Sequence, residues 1–263
     1  MLNLEYLLEE AKDNGLPILK RRAILREYLQ VIILNSIYKY NLGKQMFFTG
    51  GTALRFFYNL PRFSEDLDFD TPSLNFEEFK DILEAVEKGL RKEGFSFKKT
   101  SERRKNLFVA EFNFIDLIRL YEITDKRGMD LMIKIEVYKP AWNLKSEPAV
   151  LSLYGYNFSS LLLGKANMFS EKFLALLNRR RGRDIYDTLF MLKKRFPFDK
   201  DVLLANKIEG LPKELILEYL KKLAEKELKS LANQVKPFLF KEDDIELILK
   251  AFLYAEKFLS EYE

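Results

Sequence analysis

The chain of 263 residues contains neither cysteine nor histidine. The first absence excludes disulfides, thiolate nucleophiles and sulfur-ligated zinc; the second removes the usual general base and the commonest metal ligand. Catalysis would have to use carboxylates, lysine, tyrosine, hydroxyls or a metal, a restriction that suits metal-assisted phosphoryl chemistry. No apolar run approaches the ~20 residues that span a bilayer, and the first residues, Met1 to Glu10, are acidic rather than signal-like. A cytoplasmic protein with no membrane contact is expected. Strong charge of one sign is also missing: the net charge of +4 permits a nucleic-acid partner without demanding one.

What is present is apolar mass and one unusual stretch. With 48% hydrophobic residues the chain can build a substantial core, as one large domain or two small ones. Glycines number only 11, yet two stand together within Phe47 to Asp70, the one place where glycines and carboxylates are spent together. An apolar run ends at Gly50 and Gly51 and is followed by Thr52-Ala-Leu-Arg55-Phe-Phe-Tyr, apolar at helical spacing. The pattern predicts strand, tight turn, helix. Glycine backbone N–H groups beside the positive end of a helix can receive phosphate oxygens, with Thr52 as N-cap and hydroxyl donor; a plain turn and cap is the simpler reading of that half alone.

Asp66 and Asp68 follow in Asp-Leu-Asp-Phe-Asp, alternating with Leu67 and Phe69. Period two predicts a strand with both carboxylates on one face, Asp70 continuing it. Paired carboxylates repel unless a cation sits between them, and hard oxygen ligands favour Mg²⁺ or Mn²⁺. Solvated acids on an edge strand are the alternative.

Helical periodicity covers residues 3 to 12 and roughly 17 to 40, then Phe76 to Arg91. From Phe95 to Val137 the pattern turns to alternation: Phe95 to Lys99, Leu107 to Phe112, Ile118 to Tyr121 and Leu131 to Val137 read as antiparallel strands extending the sheet. In the last, Lys134 and Glu136 share one face, so Glu136 can face Asp66 and Asp68; a solvated amphipathic strand fits equally, and Asp130 is an alternative third acid. Pro140 to about Ser160 reads as irregular, and beyond it the chain is helical, placing a boundary near 150. A basic turn, Arg179 to Arg181, separates a helix beginning at Ser170 from one carrying Asp184 and Asp187 on one face near its start. Residues 199 to 263 read as about three amphipathic helices, among them Lys213 to Lys229 and 243 to 262.

Gly-Gly-Thr, a short helix and Asp-x-Asp on the next strand resemble the nucleotidyltransferase superfamily that includes DNA polymerase beta. More closely, Gly50 to Arg55 with Phe63-Ser64-Glu-Asp66-Leu-Asp68-Phe69, then Glu171-Lys172 and Arg183-Asp184-Ile-Tyr-Asp187, resemble the AbiEii/AbiGii toxin family of nucleotidyltransferases over residues 45 to 192. The resemblance implies an α+β fold: a mixed or antiparallel sheet flanked by helices in a catalytic domain over 1–150, and a helical domain over 151–263 completing the nucleotide cleft. It implies Asp66, Asp68 and Glu136 as catalytic metal ligands for Mg²⁺ or Mn²⁺, with Glu136 taking the proton from the attacking hydroxyl. Lys172 would be a catalytic phosphate contact. Gly50, Gly51, Thr52, Arg55, Ser64, Lys134, Arg183, Asp184 and Asp187 would bind the nucleoside triphosphate. The implied activity moves a nucleotidyl group onto an acceptor hydroxyl, with RNA such as tRNA ends as acceptor, in a toxin–antitoxin or phage-defence pair with a cognate antitoxin. Glu136 stands where many relatives carry Asp. Basic clusters at Arg179 to Arg183 and at Lys98, Lys99 and Arg103 to Lys105 could track an RNA backbone or simply be solvated. A silent nucleotide-binding module and a metal-dependent nuclease are the rival functions.

Overall fold

A computed structural model describes residues 1–123 and 130–261. The chain forms two compact units: Met1–Asn59, Phe63–Pro140 and Ser146–Leu163 make the first, and Leu60–Arg62, Ala141–Lys145 and Gly164–Glu263 the second.

The first unit begins with α1 (Leu4–Asp13) and α2 (Arg21–Lys39). Helix α2 is buried on nearly every side, and this is why its apolar residues do not keep to a single stripe. Strand β1 (Phe47–Thr49) runs directly into α3 (Gly50–Tyr58), which ends where Asn59 adopts a left-handed conformation before Pro61. Next come β2 (Leu67–Asp70), α4 (Phe76–Lys92), β3 (Phe97–Arg104), β4 (Leu107–Phe114), the single-turn α5 (Leu117–Leu120), β5 (Leu131–Tyr138), β6 (Ser146–Leu153) and β7 (Tyr156–Leu163). The seven strands form one mixed sheet in the order β3-β4-β5-β2-β1-β7-β6. Strand β2 lies at its centre, antiparallel to β1 and parallel to β5.

Alternation decides which face of the sheet does what. Phe48, Phe69, Phe108, Phe112, Ile133, Ile135 and Val137 are buried on one face, where Tyr38 of α2 meets Phe69, and Phe76 and Phe79 of α4 meet Phe108. The opposite side of β2 and β5 is left for Asp68, Lys134 and Glu136. Asn75 caps α4 reciprocally with Glu78, fixing where that helix starts.

The second unit is helical: α6 (Lys165–Asn178), α7 (Gly182–Lys193), α8 (Lys200–Ala205), α9 (Pro212–Lys221), α10 (Glu225–Val235), α11 (Glu246–Leu249) and α12 (Ala251–Ser260). Its core gathers Phe169, Phe173, Tyr186, Leu189, Ile216, Val235 and Ala255.

Several local expectations are corrected. Ile118 to Tyr121 is not a strand: Asp116, at φ 53°, turns the chain into the single-turn helix α5. The stretch after Pro140 is not irregular throughout, because β6 and β7 form a hairpin. Its turn residues Tyr154 and Gly155 both have positive φ, the twist that two-residue hairpin turns need. The helix expected over Lys213 to Lys229 is split between α9 and α10. The one over 243 to 262 is divided among a 3₁₀ turn (Glu242–Ile245), α11 and α12, its last residue lying outside the described residues. Thr52 is not the N-cap of α3; Thr49 holds that position and Thr52 lies in the first turn.

Candidate active site

The site grows from the β1–α3 turn and the two strands beside it. Gly50 has φ +73°, a left-handed conformation that glycine adopts without strain. Its missing side chain leaves room for Asp68, since a Cβ there would collide with Asp68 Oδ2. Two residues further on, Thr52 is 1% exposed and its Oγ1 donates to the Asp66 backbone oxygen at 2.5 Å. The glycine turn and the helix's first hydroxyl thus hold the segment that carries both aspartates, Asp66 just before β2 and Asp68 on it.

Pairing across β2 and β5 completes the patch. Asp68 is the register partner of Glu136 in a parallel ladder, so both side chains leave on the same face. Lys134 lies two residues before Glu136 on that face, and its Nζ stands 3.1 Å from Glu136 Oε2 and 3.9 Å from Asp66 Oδ2. Burial works against the ammonium's charge, but Asp66, Glu136 and Asp68 outweigh it and raise the lysine's pKa. Asp130 is elsewhere: its carboxylate accepts from Asn113 Nδ2 at 3.0 Å and from the Asp116 amide at 3.3 Å, closing the chain ahead of β5.

The donor set is all hard oxygen and draws a cation, so it suits Mg²⁺ or Mn²⁺. In this structure the Lys134 ammonium stands beside Glu136 and Asp66. Among the described residues no three acidic side chains are grouped closely enough to hold a metal ion by themselves, and Lys134 pairs with Glu136 and Asp66. One or two carboxylates completed by substrate phosphates is nonetheless the ordinary way proteins bind Mg²⁺.

Other expected contacts lie elsewhere. Arg55 is 7% exposed and points its Nε at Glu27 Oε1, 2.9 Å away on α2, so it braces α3 instead of facing a nucleotide. Ser64 is buried, its carbonyl accepting from Gln30 Nε2 at 3.2 Å. Asp70 ends the strand as a buried residue opposite Phe47 and Tyr138.

The helical unit holds a separate polar cluster. Asp187, fully buried, accepts two bonds of 2.7 Å from the Nε and an amino nitrogen of Arg62 and lies 3.0 Å from Lys172 Nζ. Lys172 also reaches Asp184 Oδ1 at 3.4 Å, and Arg179 grips the Asp184 carboxylate at 2.8 and 3.0 Å. Burial would raise the Asp187 pKa, but Arg62 and Lys172 reverse the effect and lower it to about 2. Arg183 stacks its guanidinium on the Phe238 ring at 5.0 Å. Glu27 and Arg62 were not singled out from the sequence. Glu27 carried one signal, an acid among the apolar positions of α2. Arg62 carried none, since its partner lies 125 positions away.

Residues 32–257 match the family described as nucleotidyl transferase AbiEii toxin of type IV toxin–antitoxin systems. Among solved structures the fold is similar to MenT4, a nucleotidyltransferase toxin from Mycobacterium tuberculosis H37Rv, with TM-score 0.58 and 18% identity over 97% of this chain and 90% of that one. It is also similar to JHP933 from Helicobacter pylori, with TM-score 0.55 and 17% identity over 91% of this chain and 92% of that one. No curated protein matches the sequence.

Proposed function

Since the chain belongs to the AbiEii family of nucleotidyltransferase toxins of type IV toxin–antitoxin systems, we propose that it transfers a nucleotidyl group from a nucleoside triphosphate to an RNA hydroxyl, at Asp66, Asp68 and Glu136 and with a divalent cation. The observation that carries this reading is the seating of Asp68 against Gly50 and opposite Glu136. It puts carboxylates beside the first turn of a helix whose leading N–H groups have no acceptor within the helix.

Gly50 and Gly51 would receive triphosphate oxygens through those N–H groups. Asp66 and Asp68 would hold Mg²⁺ or Mn²⁺, which when bound neutralises phosphate charge and polarises the phosphoryl group. Glu136 would accept the proton of the acceptor hydroxyl as the new bond from that oxygen to the α-phosphorus forms. The bond from the α-phosphorus to the bridging oxygen then breaks and pyrophosphate leaves. Thr52 serves by fixing Asp66. Lys172, its ammonium held by Asp184 and Asp187, is assigned to phosphate charge, with Arg183 next to Asp184 in sequence.

The cognate partner would be an antitoxin, and the setting the cytoplasm, where such a pair could serve in phage defence. No helix among the described residues is long and apolar enough to cross a membrane.

The test is incubation of purified protein with each α-labelled triphosphate, Mg²⁺ and total RNA. Label on RNA is expected, lost in Asp66→Asn and Asp68→Asn. Shortened RNA without label, or label transfer undiminished in both variants, would overturn the reading.

A further inference from the structure

Asp68 on β2 shares one face of the sheet with Lys134 and Glu136 on β5, and Asp66 stands immediately before β2. In the parallel ladder Asp68 lies opposite Glu136 and Leu67 opposite Ile135, and Asp66 stands immediately before that ladder with its Oδ2 3.9 Å from Lys134 Nζ. Neighbouring parallel strands lie about 4.8 Å apart and alternate residues nearly 7 Å apart, so one lysine side chain spans the patch. Its Nζ takes the interior position, 3.1 Å from Glu136 Oε2 and 3.9 Å from Asp66 Oδ2. All three measured side chains are sheltered, at 26% exposure for Lys134, 32% for Asp66 and 29% for Glu136. The attraction is therefore less screened than that of a surface pair.

We propose that Lys134 is a tethered counter-cation: its ammonium occupies part of the carboxylate patch that a divalent ion needs, so the nucleotide-free protein binds metal weakly and the ion enters when the lysine is drawn aside. A triphosphate brings the negative charge that can draw the ammonium away from Glu136. The lysine's departure frees that carboxylate to accept a proton. Metal uptake and readiness of the base are then linked to nucleotide arrival by a residue of the chain itself.

This inference rests on the reading of Asp66 and Asp68 as metal-holding residues. The experiment measures Mn²⁺ binding to the full-length protein at fixed pH without nucleotide, by titration calorimetry or by the free-ion paramagnetic resonance signal. Lys134→Met keeps the stem length and removes the charge; it should bind Mn²⁺ about tenfold or more tightly, since a charge-assisted hydrogen bond no longer has to be broken. Lys134→Arg should remain near the parent protein. Lys134→Gln gives a second neutral variant, and thermal unfolding checks that each variant is folded. Unchanged or weaker Mn²⁺ binding in Lys134→Met and Lys134→Gln, with binding still abolished in Asp68→Asn, overturns the counter-cation role alone. Mn²⁺ binding indifferent to Asp68→Asn overturns the metal reading as well. If Lys134 were purely a phosphate contact, its neutral variants would weaken triphosphate binding and leave Mn²⁺ affinity where it was, again overturning the proposal.

Discussion

The Asp68 carboxylate occupies the space that any side chain at position 50 would claim, and Gly50 meets it with φ +73°. Two separate demands therefore fall on one residue: a backbone angle and an empty volume. Gly155 has the same φ with nothing within 4 Å of a would-be Cβ, so it carries the first demand without the second. Both glycine-to-alanine variants should lose about 1–2 kcal/mol to backbone strain. Only Gly50→Ala should also displace Asp68 and lower nucleotidyl transfer by about 10²-fold, as expected when a reacting geometry shifts by about 1 Å. Thermal unfolding and label transfer on both variants check this.

Thr52 anchors the other aspartate. Its hydroxyl is buried and donates to the Asp66 carbonyl, so Thr52→Val removes that bond within a shape that barely changes. The expected loss is about 1–3 kcal/mol of stability, with a fall in transfer rate because Asp66 is no longer held. Thr52→Ser restores the donor and should recover most of both. Equal activity in the valine and serine variants would show that the bond does not position Asp66.

How much of this was legible in the sequence follows from how local each signal is. Gly50, Asp66 and Asp68 lie within one short strand–turn–helix–strand stretch, where period-two spacing predicts both aspartates on one strand face; the strand itself begins at Leu67, so Asp68 lies on it and Asp66 just before it. Glu136 could be placed only as a residue able to face them, because strand order is a long-range property; the β2–β5 register supplied the partner. The role of Thr52 was misread for a related reason: its hydroxyl serves a residue 14 positions on, not its own helix. The β6–β7 hairpin was missed because Tyr154 supplies a positive φ where asparagine or glycine is the usual sign. Arg55, adjacent to the motif, looked like a ligand contact, and only the buried Glu27 explains it.

The cluster around Asp187 predicts behaviour in acid. The folded-state pKa is lowered to about 2, below the unfolded value of 3.8. A depressed carboxylate contributes stability that is fully present above the unfolded value and is lost as pH falls through the folded one. The helical unit should therefore weaken progressively between about pH 4 and pH 2. Arg62→Met strands a buried carboxylate with Lys172 as its remaining strong partner, and should cost about 3–5 kcal/mol at neutral pH. Arg62→Met paired with Asp187→Leu should recover much of that loss, as measured by denaturant unfolding of the single and double variants.

Glu27 predicts the opposite slope. The carboxyl is fully buried in α2, and burial pushes its pKa up to about 7 while Arg55 and Tyr154 pull the other way. Folded, it holds its proton to higher pH than in the unfolded chain, where its value is 4.5. Its contribution is fully present below that unfolded value and is lost as pH climbs through about 7, because folding then has to bury an anion whose hydration Arg55 replaces only in part. Unfolding temperature should accordingly drift down between about pH 4.5 and pH 7 and level off above that. Glu27→Gln cannot ionise, can still accept from Arg55 Nε, and should flatten that drift while keeping α3 in place. Its thermal unfolding should be followed across the same pH range beside the parent protein. A slope unchanged by the substitution would assign the drift to other groups and leave Glu27 ionised throughout.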